Sequence, residues 1–237
     1  MTETEILKRE STPDTRNSGR SKFFWYAGIF MLVYVVMAFG LAALEQPHRH
    51  ERYTRIEVIL HSVVALSWLV LFIVQSRLVH VGAIRAHKRN AWIGSTLAVL
   101  ITVQAIHLTY VWGDAVRLIA ESRDAIVFAA LFFAAIWAAQ KNKFDVHTRL
   151  MFIAGLNLIN PAQIRLTFAL GWPIPMAVVL GLIAWIVPPL VYDLVTQRSV
   201  HRASIVGIAV TVLSFFLVLA IVFSPFIETI GNWFYPA

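Results

Sequence analysis

Seven apolar stretches recur along the chain, at 23–44, 57–79, 91–112, 125–140, 150–170, 174–195 and 203–226, and the loops between them reach only about a dozen residues. An α-helix rises about 1.5 Å per residue, so about 20 apolar residues cross a hydrocarbon core of about 30 Å. Six of the stretches meet that length. The fourth is short, and its helix is expected to extend back through Ser122-Arg123-Asp124. The expected architecture is an all-α integral membrane protein, a bundle of seven transmembrane helices.

Composition narrows the class in the same direction. Of 237 residues, 59% are hydrophobic and 14% charged. A soluble domain carries about 25% charged residues, so most of this chain's apolar side chains would find no aqueous-protein core to enter. Lipid is the solvent that accommodates them. The chain has no cysteine, which excludes disulfides, thiolate metal sites and a cysteine nucleophile. Its net charge of +7 sits in short loops between apolar spans, so nucleic acid is not an expected partner. The expected partner is the lipid bilayer, with a larger membrane complex or a homo-oligomer as further candidates.

Charge sets the orientation. With the amino end inside, the cytoplasmic segments hold fourteen Lys and Arg residues, and the outer loops hold Arg49, Arg52, Arg55, Arg117 and Arg123. That bias places the N-terminus inside and, over an odd number of spans, the C-terminus outside. The expected location is the inner membrane of a bacterial cell. Residues 1–22 are polar and charged and are expected to form a disordered cytoplasmic tail. Residues 23–237 then form one transmembrane domain. No small-residue cleavage site follows the first span, which therefore reads as an uncleaved anchor.

Polar groups at membrane depth are costly and are the first candidates for function. His61, Trp68 and Gln75 recur at intervals of seven on span two. At about 100° per residue they lie within about 40° of one another and cover about 21 Å of depth. Glu57 continues this stripe one turn above His61. On span three, Gln104, His107 and Tyr110 occupy the outer half. His107 is five residues from its outer end and His61 four from its own, so the two imidazoles are expected at similar depth and at one cofactor site. On span five, His147 and Arg165 are eighteen residues apart, five helical turns. A buried arginine there needs an anion, either Glu57 or a ligand carboxylate such as a haem propionate, or else a cluster of carbonyls.

A second layer is expected at the inner rim. His87, His147 and His201 each stand a few residues before a span that starts on the inside, with Asp193 near enough in sequence to orient one ring. The outer layer therefore holds His61, His107, Arg165 and, lower on the stripe, Gln75. The metal set of the inner layer is His87, His147, His201 and Asp193. Asn160-Pro161 in span five and Pro188-Pro189 in span six are expected to kink their helices. Gly94, Gly155, Gly181 and Gly207 allow close helix approach.

Taken in order, His61, Gln75, Leu78, His87 and Gly94, then His147-Thr148-Arg149-Leu150-Met151 and Arg165, resemble the motif pattern of a widespread family of uncharacterised bacterial membrane proteins. The resemblance covers about residues 57–166 and implies a membrane-embedded helical fold without assigning an activity. His147-x-x-x-Met151 is also faintly similar to small membrane proteins that assist terminal-oxidase assembly. Two-haem transmembrane b-type cytochromes are departed from at position 75, where glutamine stands in place of a second axial histidine.

Three functions fit these residues. The first is a histidine-rich redox protein holding haem b or a transition metal, iron, copper or zinc, through paired imidazoles. The second is an enzyme with a non-haem metal centre at the inner layer, although no H-x-x-x-H or H-E-x-x-H run is present. The third is non-enzymatic: an accessory subunit, an assembly factor, or a proton-linked transporter or sensor. No catalytic residue is assigned. No phosphate-cradling glycine loop, G-x-S-x-G elbow or dinucleotide fingerprint occurs, and no lysine lies within 203–226 to form a retinal Schiff base.

Overall fold

The computed structural model describes residues 15–45 and 54–235. It is all-α. The helices are α1 (Thr15–Glu45), α2 (Ile56–His80), α3 (Ile84–Trp112), α4 (Ala115–Gln140), α5 (Phe144–Leu158), α6 (Asn160–Ala169), α7 (Ile174–Gln197), α8 (Arg202–Val222) and α9 (Phe226–Phe234). Of the segment expected to be a disordered tail, residues 1–14 lie outside the described residues, and the chain is already helical from Thr15.

Five helices are long and apolar enough to cross a membrane: Lys22–Glu45 of α1, then α2, α3, α7 and α8. The chain is a multi-pass membrane protein by that measure. The other two expected spans, 125–140 and 150–170, fall on α4 and on the α5–α6 pair. α4 does run back past Ser122-Arg123-Asp124, to a start capped by Asp114, whose side chain accepts from the Arg117 amide at 2.9 Å. Its first three turns hold Arg117, Glu121, Arg123 and Asp124, which leaves an apolar part, 125–140, shorter than the about 20 residues a span needs. α5 and α6 are interrupted at Ile159.

Burial explains the difference. α8 buries Ala203, Ser204, Gly207 and Thr211 and turns Ile205, Leu213 and Leu217 outward. Small and polar residues face in while large apolar residues face out, the reverse of a soluble helix and the arrangement a lipid solvent favours. Only 11% of the apolar window of α8 is buried. α4 and α5, by contrast, bury a continuous stripe from Ser122 to Ala138 and the run Phe152–Asn157. They form the interior of the bundle, and the interior is where charge is found.

The breakers act differently from one another. Asn160-Pro161 ends α5 and starts α6, with the proline in the first turn of the new helix, where its missing N–H leaves no broken bond. Pro188 and Pro189 lie inside α7, which continues unbroken to Gln197; Pro189 sits on the buried seam with Gly181, Trp185, Tyr192 and Asp193. Of the expected close-approach glycines, Gly207 is the tightest. A Cβ there would lie 2.6 Å from Ile153 Cδ1.

The stripe on α2 faces inward as the sevenfold spacing requires. Trp68 is buried against Phe72, Phe128 and Phe132, with ring centroids 5.1–6.3 Å apart. His61 and Gln75 are half-buried, whereas Glu57 is exposed.

Candidate metal-binding rim and buried ion pairs

Two helical hairpins, α2–α3 and α4–α5, turn on the same backbone geometry. In the first, the Ala83 amide donates to Leu78 O at 2.8 Å and Gly82 takes a φ of 76°. In the second, the Lys143 amide donates to Ala138 O at 2.9 Å and Asn142 takes a φ of 58°. Both are helix ends closed by a left-handed residue and a six-to-one hydrogen bond. Glycine and asparagine are the residues that adopt this conformation most readily.

Matched turns produce matched histidines. His87 and His147 each donate their amide to the fourth residue back, Ala83 at 3.1 Å and Lys143 at 3.0 Å. Each therefore stands one helical turn into the returning helix. Their rings meet edge to face, with centroids 6.3 Å apart and planes at 78°. The residues opposite each turn also correspond. Gln75 Nε2 donates to His87 O at 3.2 Å, and the His147 ring bonds Ala135 O at 2.9 Å; both links span twelve residues.

The donor chemistry of this rim follows from those bonds. A carbonyl only accepts, so His147 Nδ1 carries the hydrogen and Nε2 keeps a lone pair. His87 Nδ1 and Gln75 Oε1 are buried and have no hydrogen-bond partner. Two imidazoles and one amide oxygen, contributed by α3, α5 and α2, are thus left with unused capacity. Nitrogen and oxygen donors of this type suit zinc, copper and iron.

The rest of the expected inner layer is used otherwise. His201 is the N-cap of α8: its Nδ1 accepts from the Ala203 amide at 3.1 Å. Asp193, fully buried, does not orient an imidazole. Its Oδ1 accepts from Arg149 Nε at 2.8 Å and its Oδ2 from the His201 amide at 2.9 Å. Arg149 Nη1 donates to Asp145 O at 2.9 Å, and the guanidinium lies 5.4 Å from the Tyr192 ring centroid. Among the described residues no group of three or more His, Asp or Glu is disposed to hold a metal ion. His87 and His147 come together; His201 and Asp193 belong to a structural clasp beside them.

The outer layer is not drawn together in the same way. His61 is half-buried with an unpartnered Nδ1, while His107 is exposed. No ring contact or hydrogen bond joins them. Arg165 Nη1 donates to Pro161 O at 2.9 Å and its guanidinium stacks 4.7 Å above the Phe39 ring. The expected pairing of Arg165 with Glu57 does not form. A cation on an aromatic face and a carbonyl of its own helix take the place of the carboxylate.

A second buried ion pair was not anticipated from the sequence. Arg123 pairs with Asp124, donates to Thr211 O and bonds Ser214 Oγ at 3.0 Å. Its guanidinium lies 4.6 Å from the Trp185 ring centroid. Asn160 Nδ2 donates to Asp124 at 2.7 Å, and Asn157 Nδ2 to Thr211 Oγ1 at 3.0 Å. The network ties α4 to α5, α6, α7 and α8 near the middle of the last two. The charge count puts Arg123 with the outer charges, although the fourth helix is expected to run back through it, and Arg149 among the fourteen cytoplasmic ones. The signal that could have placed them was the shortness of the apolar run at 125–140 and the position of Arg149 one residue before the run at 150–170.

Comparison of the chain with protein-family models, curated proteins and solved structures gives no match.

Proposed function

We propose that this chain is a seven-span protein of a bacterial inner membrane, amino end inside, that binds a transition-metal ion at its cytoplasmic rim through His87 and His147. The observation that carries this reading is the pair of imidazoles 6.3 Å apart, one on each of two hairpins with the same turn, beside a buried Gln75 Oε1 that lacks a partner. The cytoplasmic assignment of that rim rests on Arg85, Lys88, Arg89, Lys141 and Lys143 around the two turns.

α4 and the α5–α6 pair complete the seven spans in this reading. Their charges are tolerated because they face other helices and are paired there. Copper or iron in such a site would supply one-electron redox chemistry. The protein's own contribution is to set the two rings, with Ala135 O holding the His147 tautomer so that Nε2 faces away with its lone pair.

Metal analysis and an absorption spectrum on detergent-purified protein test the proposal. Iron, copper or zinc should be retained at about one ion per chain, and His87→Ala or His147→Ala should remove it while His201→Ala keeps it. Folded, colourless protein that stays metal-free after incubation with each ion would refute it. A Soret band would replace the ion by haem.

A non-redox reading has its own support in the Arg123–Asp124–Asn160 network, since ionisable groups between membrane helices also serve proton-linked transport. Asp124→Asn separates the two: it should abolish proton-coupled uptake or sensing in that case and leave metal content unchanged in the other.

A further inference from the structure

The last helix, α9, carries a feature that neither ion pair nor histidine explains. Placed at 100° per residue, Phe226, Ile230 and Trp233 fall on one side, with Ile227 and Phe234 adjoining them, Glu228 and Asn232 fall opposite, and Thr229 borders the apolar side next to Trp233. No residue of α9 is buried. Phe226 is 69% exposed and Trp233 78% exposed, and Phe223 in the link from α8 is 82% exposed.

Where α9 sits is fixed. Tyr235 Oη donates to Thr109 O and Tyr110 O at 3.2 and 3.0 Å, at the end of α3. Gly231 faces Ala115 at the start of α4, with 3.7 Å from a Cβ built on it to the alanine Cβ. The helix is therefore folded back across the α3–α4 turn, at the rim opposite His87 and His147. Its apolar side adjoins the outer end of α3, where the Phe234 and Tyr110 rings lie 6.4 Å apart and where Tyr110 and Val111 are exposed.

We infer that α9 is an interfacial anchor that lies in the plane of the membrane surface, with Phe226 and Trp233 inserted at the boundary of headgroups and acyl chains. Three observations carry this. The apolar side is exposed at Phe226 and Trp233, it adjoins the exposed Tyr110 at the end of α3, and it is aromatic, the composition favoured at that depth. The helix carries Glu228 and no lysine or arginine, so the lipid it takes is set by insertion depth and not by anionic headgroups. The Tyr235 bonds hold the helix against the rim so that the α3–α4 turn is covered from outside. This inference rests on the reading of the chain as a membrane protein, and not on metal binding.

The absence of cysteine makes a direct test available. Single variants Phe226→Cys, Trp233→Cys, Glu228→Cys and Asn232→Cys of the full chain are labelled with a nitroxide and reconstituted in phosphatidylcholine vesicles, with Leu213→Cys on the exposed face of α8 as reference. Oxygen should relax the labels at 226, 233 and 213 more than a water-soluble nickel chelate does, and the order should invert at 228 and 232. Adding phosphatidylglycerol should leave the pattern unchanged. Chelate access at 226 and 233 equal to that at 228 and 232 would overturn the inference, as would labels at 226 and 233 shielded from both agents, which marks a second copy or another protein on that face. Chelate access at 213 as well would instead overturn the membrane reading on which the inference stands.

Discussion

The two rims of the bundle received the same kind of residue and did different things with it. At one rim, histidines from separate helices meet; at the other, His61 turns inward and His107 outward. In both cases the sequence spacing sets how far each imidazole stands along its own helix. Depth follows from counting residues along a helix of constant rise. What differs is azimuth, the direction a ring takes around its helix axis, and this depends on how each helix is rotated against its neighbours. At the His87–His147 rim that rotation is imposed twice by the same turn. At the other rim the link between α1 and α2 passes through residues outside those described, and α2 and α3 there have no matched partner hairpin to repeat their geometry.

The rims also differ in how their charges are held. Arg149 and Asp193 form a buried pair backed by the His201 amide and by Asp145 O. Arg165 is a half-buried cation with an aromatic face and a carbonyl, and no carboxylate. The first arrangement locks α5, α7 and α8 together; the second leaves one helix end free to adjust. Stability should therefore depend strongly on the first set of residues and weakly on the second.

The largest effect is expected from Arg149→Ala, which leaves the fully buried Asp193 carboxylate without its cation. Losing one partner of a buried pair costs about 3–5 kcal/mol, and thermal unfolding in detergent should show a correspondingly large fall in midpoint. An unchanged midpoint would mean that Asp193 is reached by water or by another cation. Next is Gly207→Leu, which forces side-chain atoms into the contact with Ile153. Overpacking of this kind costs about 1–3 kcal/mol, and the variant should unfold earlier with metal content preserved; no loss would show that α8 can move away from α5 freely.

His201→Ala sharpens the comparison within one rim. It removes the N-cap of α8 and should cost about 0.5–2 kcal/mol, measured by the same unfolding, with bound metal unaffected. Loss of metal would instead join His201 to the ligand set. The smallest effect belongs to the opposite rim. His107→Ala, at an exposed position with no bond partner, should stay within about 0.5 kcal/mol of the parent and retain the same metal content. A large change there would revive the His61–His107 site.

Much of the fold was readable from the residues. The apolar runs at 23–44, 57–79, 91–112 and 174–195 each fall on a helix long enough to cross a membrane, and the run at 203–226 falls on another that ends at Val222, before the separate helix that starts at Phe226. The inward direction of His61, Trp68 and Gln75 was likewise legible, because a repeat of seven nearly closes two helical turns. Pro161 marked a helix break; Pro188 and Pro189 did not, since a helix packed on its neighbours tolerates prolines that a sequence pattern counts as breakers. The helix through Arg123 was legible, but the buried pairing of Arg123 and Arg149 was not, because a charge next to an apolar run looks the same in sequence whether it ends at a rim or in a buried pair. Only the partner distinguishes them, and Asp193 lies 44 residues from Arg149.

Period and hydropathy along the chain thus marked the five helices long and apolar enough to cross a membrane and the position of each polar group along its helix, because those quantities are local to one helix. The rotation of each helix, and with it the choice between His201 as a cap and His147 as a ring set against His87, was decided by the bundle. Contacts such as Gly207 on Ile153 and Arg149 on Asp193 orient helices by short-range packing and pairing between residues far apart in sequence, and no one-dimensional pattern encodes those angles.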